Sequence, residues 1–265
     1  AEIQNLRLKD FTVSGRAGVG TLIGKLQSDG AVTVKNCGVY QSAAGAGSVS
    51  GGKGASSDAD TPTGGLIGIM QAKNGDRVTV ENCFSAVDVA NSQQQAGGLI
   101  GKISGGTTAV PVKILSSYAS GSTAAGIAGA YRAVSGGLIG TAGDPVTVAS
   151  CFSSADVYGS ASCGGLVGSN TGTLSATGSY ACGTVITGGK VTYGPLVNGS
   201  GTAAYTNCRY LNQTGDPSAS DAYSGAAPAG VIACEYDDLT KSAAGTTISN
   251  RVSACHPYRS DLQGT

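Results

Sequence analysis

The sequence is poor in the large side chains on which most globular proteins depend. Its 265 residues include no Trp, one Met, three Phe and one His, and aromatic residues make up only 5% of the chain. So few bulky side chains exclude a conventional thick core, and they favour a narrow tube with an interior about one or two side chains wide. Hydrophobic residues still reach 40%, which is too apolar for a disordered Gly/Ser linker.

Charge is equally scarce, and its distribution excludes several partners. Charged residues make up 12% of the chain, and 16 basic residues balance 16 acidic ones. Without a basic stripe or an acidic run, the sequence predicts no nucleic-acid partner. No apolar run approaches the ~18 residues of a spanning helix, so we expect no membrane insertion of this segment. The first residues, Ala1 to Asn5, lack a signal-peptide pattern, and their place within a repeat predicts a trimmed segment of a larger exported polypeptide.

What the sequence does contain is repetition. A Gly-Gly-Leu-Ile-Gly motif and its variants occur six times, at intervals of 28 to 44 residues. The leucines of these copies are Leu22, Leu66, Leu99, Leu138, Leu166 and Leu196. A second recurring element, typified by Val78 to Cys83, alternates Val and Thr as β-strands do. Because only a stack of such units closes a core, the pattern predicts an all-β coiled β-solenoid of about seven rungs.

Two kinds of residue are expected to form the corners of each rung. Asn or Ser precedes the cysteine-type position, where a left-handed backbone gives a sharp corner and stacked amides form a ladder. These residues are Asn5, Asn36, Asn82, Ser116, Ser150 and Asn207. The Gly pair before each Leu marks another corner, where positive φ or close approach of two backbones excludes a Cβ.

The spacing between motifs also predicts the domain organisation. The largest insertion covers roughly residues 41–63 and the next follows Ser117, so both loops leave the solenoid at the same corner, where a binding surface is expected. After about residue 213 the pattern lapses. We therefore expect a solenoid over residues 1–213 and a capping segment over 214–265, because an exposed last rung is an open sheet edge.

The repeated unit resembles a known family. Val78 to Ser85, followed by Ala96 to Gly101, is similar to the GLUG repeat of large bacterial surface proteins, and the resemblance covers roughly residues 3–213. That family includes adhesin-like proteins, and the repeat also occurs in non-catalytic regions of IgA-specific metallopeptidases. The resemblance implies a right-handed parallel β-helix, export and an adhesive role, and it supplies no catalytic residue. The chain departs from the pattern at Pro195 and Asn198 and in its long first insertion.

One aromatic residue follows the cysteine-type position in four consecutive rungs. These residues are Phe84, Tyr118, Phe152 and Tyr180. Stacked at the ~4.8 Å spacing of strands, they form a column. They are our candidate binding residues if the column is an exposed strip that stacks on sugar rings, whereas an internal stack that fills the tube is the more common arrangement. Burial of both Phe84 and Phe152 would exclude the exposed strip.

The eight cysteines support neither a metal site nor a stacked disulfide. Cys37, Cys83, Cys151 and Cys208 occupy one column, without the close sequence pairs that a zinc site uses. We interpret them as small buried thiols, since stacked parallel positions have poor disulfide geometry. The candidate disulfide is Cys234 with Cys255 in the capping segment. The next candidate is Cys163 with Cys182.

Other polar residues give weaker signals. Asp88 and Asp156 hold equivalent positions two rungs apart, about 9.6 Å if aligned, which an inverting glycosidase can use but many accidental pairs share. Asp58 and Asp60 in the long insertion are calcium candidates, although solvated turn residues are the commoner interpretation. His256 is the single histidine, and no nucleophile elbow accompanies it. Asn198 and Asn212 begin glycosylation sequons.

These patterns predict a non-enzymatic, adhesin-like segment of a bacterial surface or secreted protein, acting as a stalk, a binding surface or both. Its expected partner is a host or matrix glycan or protein, and we expect no catalytic residue, metal or cofactor. The first alternative is a carbohydrate-active β-helix enzyme, which the thinly spread charges disfavour. The second is an ice-binding solenoid, for which Thr33, Thr79 and Thr147 are the relevant residues, but Lys113 interrupts that column.

Overall fold

Short runs of alternating Val and Thr, separated by Gly, Asn and Ser, direct this chain into many short strands. The computed structural model describes residues 1–52, 60–73, 75–125, 133–187, 192–211 and 227–234. Within these ranges the chain forms 31 strands and no helix, so none of the described residues lies in a helix able to cross a membrane. All the strand pairings of these residues are parallel.

The strands form five sheets, numbered here in the order in which the chain visits them. Sheet 1 contains Glu2–Gln4, Val32–Lys35, Val78–Glu81, Val112–Leu115, Val146–Ala149, Thr173–Thr177 and Thr202–Thr206. Sheet 2 contains Arg7–Lys9, Gly38–Tyr40, Phe84–Ala86, Tyr118–Ser120, Phe152–Ser153, Tyr180–Ala181, Cys208–Leu211 and Val231–Cys234. Each of these strands pairs with its equivalent in the next circuit of the chain, which we call a rung.

The remaining three sheets complete the cross-section. Sheet 3 contains Thr12–Ser14, Ser48–Gly51, Asp88–Asn91, Ser122–Ala125, Asp156–Gly159 and Val185–Thr187. Sheet 4 contains Thr63–Gly64, Gln95–Gly97, Val134–Gly136, Ser162–Gly164 and Thr192–Gly194. Sheet 5 contains Ile23–Gln27, Ile67–Gln71, Ile100–Ser104, Ile139–Ala142 and Val167–Asn170. The architecture is a parallel β-helix, as the sequence predicts; its right-handed coiling is implied by the family resemblance and stays a prediction.

The repeated leucines set the register of the stack. The N–H of each leucine donates to the carbonyl of the next one, from Leu22 through Leu66, Leu99, Leu138 and Leu166 to Leu196, at 2.7–3.1 Å. All of them except Leu22 are fully buried. The six copies of the motif therefore lie in a single file, and the core is one continuous column of aliphatic side chains along the tube.

The corners use the residues that the sequence indicates. All six predicted Asn and Ser positions have left-handed backbone, with φ between 47° and 61°, and Gly178 takes the same conformation in the remaining rung. The amide ladder forms across three rungs, because Asn36 Nδ2 donates to Asn5 Oδ1 at 3.0 Å and Asn82 Nδ2 donates to Asn36 Oδ1 at 3.3 Å. It ends at Ser116, whose side chain carries no amide.

The Gly-Gly pairs occupy their corner for a different reason. None of the Gly-Gly pairs before the leucines has positive φ. They are instead required by close packing: a Cβ on Gly98 would overlap the carbonyl oxygen of Gly137 in the next rung. Of the two reasons offered by the sequence, close approach of backbones is the correct one.

The C-terminal strand extends the stack beyond the last repeat. Val231–Cys234 pairs in parallel with Cys208–Leu211 and so continues sheet 2 into the segment predicted to be a cap. The division at residues 213 and 214 stays a prediction, since most of residues 214–265 lie outside the described ranges.

Candidate functional site

Four aromatic rings from successive rungs stack on sheet 2. Phe84, Tyr118, Phe152 and Tyr180 hold the same register position in paired strands. Successive ring centroids are 5.2, 4.7 and 5.1 Å apart, and the ring planes are within 7° of parallel. These separations follow the ~4.8 Å spacing of neighbouring strands. The sheet therefore imposes the stacked geometry that the sequence predicts.

The aromatic column lies on the outer face of sheet 2. Side chains alternate between the two faces of a strand, and Ala119, next to Tyr118, belongs to the aliphatic core, whereas the rings form a separate cluster. Arg7 lies at one end of the column, with its guanidinium carbon 4.9 Å from the centroid of the Phe84 ring. The strand between them contributes Gly38, where a Cβ would overlap the ring. Its missing side chain lets the cation reach the aromatic face.

Burial decides between the two interpretations of this column. The exposed fraction is 4% for Phe84 and 6% for Phe152, and Tyr118 is equally buried, whereas Tyr180 is half-buried. The exposed strip is therefore wrong, because stacking within the column covers the ring faces that a sugar would need. The alternative, an internal stack, correctly predicts that the rings are buried. It is wrong about where they lie, because the rings pack on the outer face of sheet 2 and not inside the tube. A binding role for these four residues stays a prediction that their burial disfavours.

The column of cysteine-type positions satisfies backbone groups at the first corner. All six members are fully buried: Cys37, Cys83, Ser117, Cys151, Ser179 and Cys208. The N–H of Cys83 donates to Ser117 Oγ at 3.1 Å, and the N–H of Ser117 donates to Cys151 Sγ at 3.4 Å. The left-handed corner turns these N–H groups away from the strand ladder, so a small polar side chain in the next rung replaces the missing carbonyl.

The pKa values of these thiols move in different directions. Burial raises the pKa of Cys208, and a hydrogen bond with Cys37 together with burial raises the pKa of Cys83, whereas the same hydrogen bond with Cys83 lowers the pKa of Cys37. A thiol must lose its proton to act as a metal ligand or nucleophile. Among the described residues, no three His, Cys, Asp or Glu side chains come together in a group able to hold a metal ion.

The predicted disulfides have different outcomes. Cys163 and Cys182 do not form a disulfide with each other, so that pairing is wrong. Cys163 lies in sheet 4 and donates to the carbonyl of Gly159 at 3.6 Å, whereas Cys182 follows sheet 2 and donates to Ser153 at 3.6 Å. The pairing of Cys234 with Cys255 lies outside the described residues.

Asp88 and Asp156 are aligned as predicted, with Ser122 between them. Each carboxylate accepts hydrogen bonds from the following rung: Asp88 from the N–H and Oγ of Ser122 at 2.9 and 2.8 Å, and Asp156 from the N–H of Thr184 at 2.9 Å. Both acids therefore secure the corner between sheets 2 and 3. This use of the carboxylates disfavours a catalytic pair.

The calcium candidates are only partly described. Asp58 lies outside the described residues, whereas Asp60 forms an ion pair with Lys102 at 2.7 Å. His256 and Asn212 also lie outside the described ranges, while Asn198 is partly exposed.

A groove on the outer face of sheet 1 was not predicted from the sequence. Its volume is about 660 Å³ and it is lined by Arg77, Val78, Thr79, Ala109, Val110, Pro111, Lys113 and Thr147. Thr79, Lys113 and Thr147 are in register on consecutive strands and form its floor. The available signal was Lys113, which the sequence shows only as an interruption of the threonine column. The wall depends on a loop whose direction no repeat pattern specifies.

Comparison with known proteins shows the fold and no family. No family model matches the chain, and no curated protein matches it either. One crystal structure that it resembles is that of a protein from Bacteroides ovatus, provisionally assigned as an immunoglobulin A1 protease. The similarity has a TM-score of 0.63 and 19% sequence identity, and it covers 97% of this chain and 73% of that one. At this identity the likeness shows a shared fold, while the GLUG relationship stays a prediction.

Proposed function

We propose that this chain is a non-enzymatic segment of a bacterial surface or secreted protein, in which the β-helix serves as a stiff stalk and presents a binding surface for a host or matrix glycan or protein. The observation that carries the proposal is the unbroken register of the leucine file from Leu22 to Leu196. A stack in which each rung contacts only its neighbours is elongated and stiff, and its loops vary without disturbing the core. Those properties suit display of a surface at a distance from the cell.

The non-enzymatic part of the proposal is supported by the way the fold uses its polar groups. Asp88 and Asp156 each secure a neighbouring rung through hydrogen bonds. The column of cysteine-type positions is buried and satisfies corner N–H groups. An active site needs titratable groups that converge on a reacting atom. These residues instead form separate hydrogen bonds that stabilise different corners of the β-helix.

A second candidate function follows from the structural neighbour. Because that protein is provisionally assigned as an immunoglobulin A1 protease and shares the fold over 97% of this chain, the segment is also a candidate for recognising immunoglobulin A1 within a larger protein. Such a role requires no catalytic residue in the β-helix itself.

Three measurements test these functions. Antibodies against the purified chain should label intact cells of the encoding bacterium, and labelling only after permeabilisation would contradict surface display.

Immobilised protein should retain a glycan or host protein, with immunoglobulin A1 and immunoglobulin A2 compared side by side; binding of A1 alone favours the second candidate. Incubation with polysaccharides should release no reducing sugar, and any release that scales with protein concentration would refute the non-enzymatic assignment.

A further inference from the structure

The groove on sheet 1 contains two cations that the fold does not neutralise. Arg77 and Lys113 are exposed, and neither takes part in an ion pair within the part of the chain that the structure describes. The neighbouring acids have other partners: Asp76 accepts hydrogen bonds from Ser28 Oγ and from the N–H of Gly30, and Asp144 accepts one from the N–H of Gly105. Among the described residues, the lining of the groove contains these two cations and no acidic side chain, so the groove itself presents net positive charge.

The wall of the groove is formed by an ordered loop. Residues 105–111 form the connection from sheet 5 to sheet 1, whereas the equivalent connection in the next rung is only residues 143–145. The longer loop is closed by paired hydrogen bonds of 3.1 Å between the backbones of Thr107 and Val110. Because the following loop is short, the longer one stands above the floor at Thr147 and gives the groove an apolar side.

From this arrangement we infer that the groove binds an anionic saccharide, with Arg77 and Lys113 contacting its carboxylate or sulfate. Thr79 and Thr147 lie two strands apart, about 9.6 Å, on either side of Lys113, and their hydroxyls donate to and accept from sugar hydroxyls. Val110 and Pro111 supply apolar contact for the carbon-bound hydrogens of the ring. The inference rests on the proposed binding role and assigns it to one face.

An acidic peptide fits the groove less well. Peptides gain affinity on sheets by adding a strand at an open edge. The strand Val112–Leu115 is paired on both sides, with Val78–Glu81 and with Val146–Ala149. The floor therefore offers side chains, among them the hydroxyls of Thr79 and Thr147, and no free backbone to which a peptide could add a strand.

The test is calorimetric titration of the purified chain with four probes of similar length. They are an oligogalacturonate, a sulfated oligosaccharide, a neutral dextran oligomer and polyglutamate. At least one of the two anionic saccharides should bind and the dextran should not; which of the two binds distinguishes carboxylate from sulfate recognition. The variants Lys113→Gln and Arg77→Gln should each weaken binding about tenfold. The control Lys25→Gln removes an exposed cation on sheet 5 and should leave affinity unchanged.

Several results would overturn the inference. Absence of binding by both anionic saccharides would do so, as would equal affinity of wild type and Lys113→Gln, or binding of polyglutamate as tight as that of the saccharides. Far-UV circular dichroism of each variant separates a binding defect from misfolding. Because these titrations use the purified chain, they do not depend on export, so a failure here and a failure of cell-surface labelling are distinguishable.

Discussion

Replacement of Asn82 tests the corner that repeats in every rung. Its φ of 52° is left-handed, and its Nδ2 donates to Asn36 Oδ1 at 3.3 Å. Alanine in this conformation costs about 1–2 kcal/mol, a cost that Asn offsets through local hydrogen bonding of its short polar side chain, and the change also removes an amide hydrogen bond worth about 1 kcal/mol. We expect Asn82→Ala to lower the free energy of unfolding by about 2–3 kcal/mol. Asn82→Gly loses the hydrogen bond but relieves the backbone, so its loss should be about 1 kcal/mol.

Substitutions at two further sites test whether the left-handed backbone selects the corner residue. Ser150 has a φ of 54° and lies beyond the amide ladder, so glycine there should be more stable than alanine by the same margin, without the hydrogen-bond loss. At Thr79, within a strand of sheet 1, the order should reverse, because glycine is less favourable than alanine in regular strand by about 0.5–1 kcal/mol. Urea unfolding followed by circular dichroism measures all six variants. If alanine equals or exceeds glycine at residues 82 and 150, the left-handed corner is not what selects Asn and Ser.

Three other predictions concern packing and pH, each measured by the same unfolding assay. Gly98→Ala should destabilise the protein by more than about 3 kcal/mol, because the added Cβ meets the backbone of the next rung; near-neutral behaviour would contradict that contact. Leu99→Ala should cost about 2–5 kcal/mol, and Leu22→Ala, at a half-buried position, clearly less. Burial raises the pKa of Cys163 from 9.0 to about 12. Since the unfolded thiol releases its proton first, stability should fall above about pH 9, by up to about 1.4 kcal/mol per pH unit until about pH 12, and Cys163→Ala should reduce that slope.

The features predicted from the sequence are those that recur in every rung. The leucine file, the left-handed corners and the aromatic column each depend on one position per repeat, and a parallel stack brings equivalent positions together automatically. A register error would place Leu66 beside a non-equivalent residue and break the whole file. Repetition therefore substitutes for the long-range information that a single sequence usually lacks.

The features that could not be predicted depend on the shape of the cross-section. The residue pattern places the side chains of Phe84 and Ser85 on opposite faces of the same strand. It does not tell which of these faces is the inside of a tube bounded by five sheets. The acids Asp88 and Asp156 were aligned correctly, yet their hydrogen bonds depend on the backbone orientation at one corner. The groove depends on two successive loops of unequal length, and a repeat pattern averages such differences away.

Lys113 offers a test of whether a residue serves the fold or a ligand. In its register column it stands between Thr79 and Thr147, so Lys113→Thr would complete a run of β-branched residues that favour strands. It would also remove a cation that shares the groove with Arg77 without a counter-charge. For a purely structural residue, binding and stability should change together. We expect them to separate: the free energy of unfolding should stay the same or rise by a few tenths of a kcal/mol, while the affinity for the anionic saccharide falls about tenfold. Urea unfolding and calorimetry on the same preparation give both values, and a parallel loss of stability and affinity would mean that Lys113 supports the sheet.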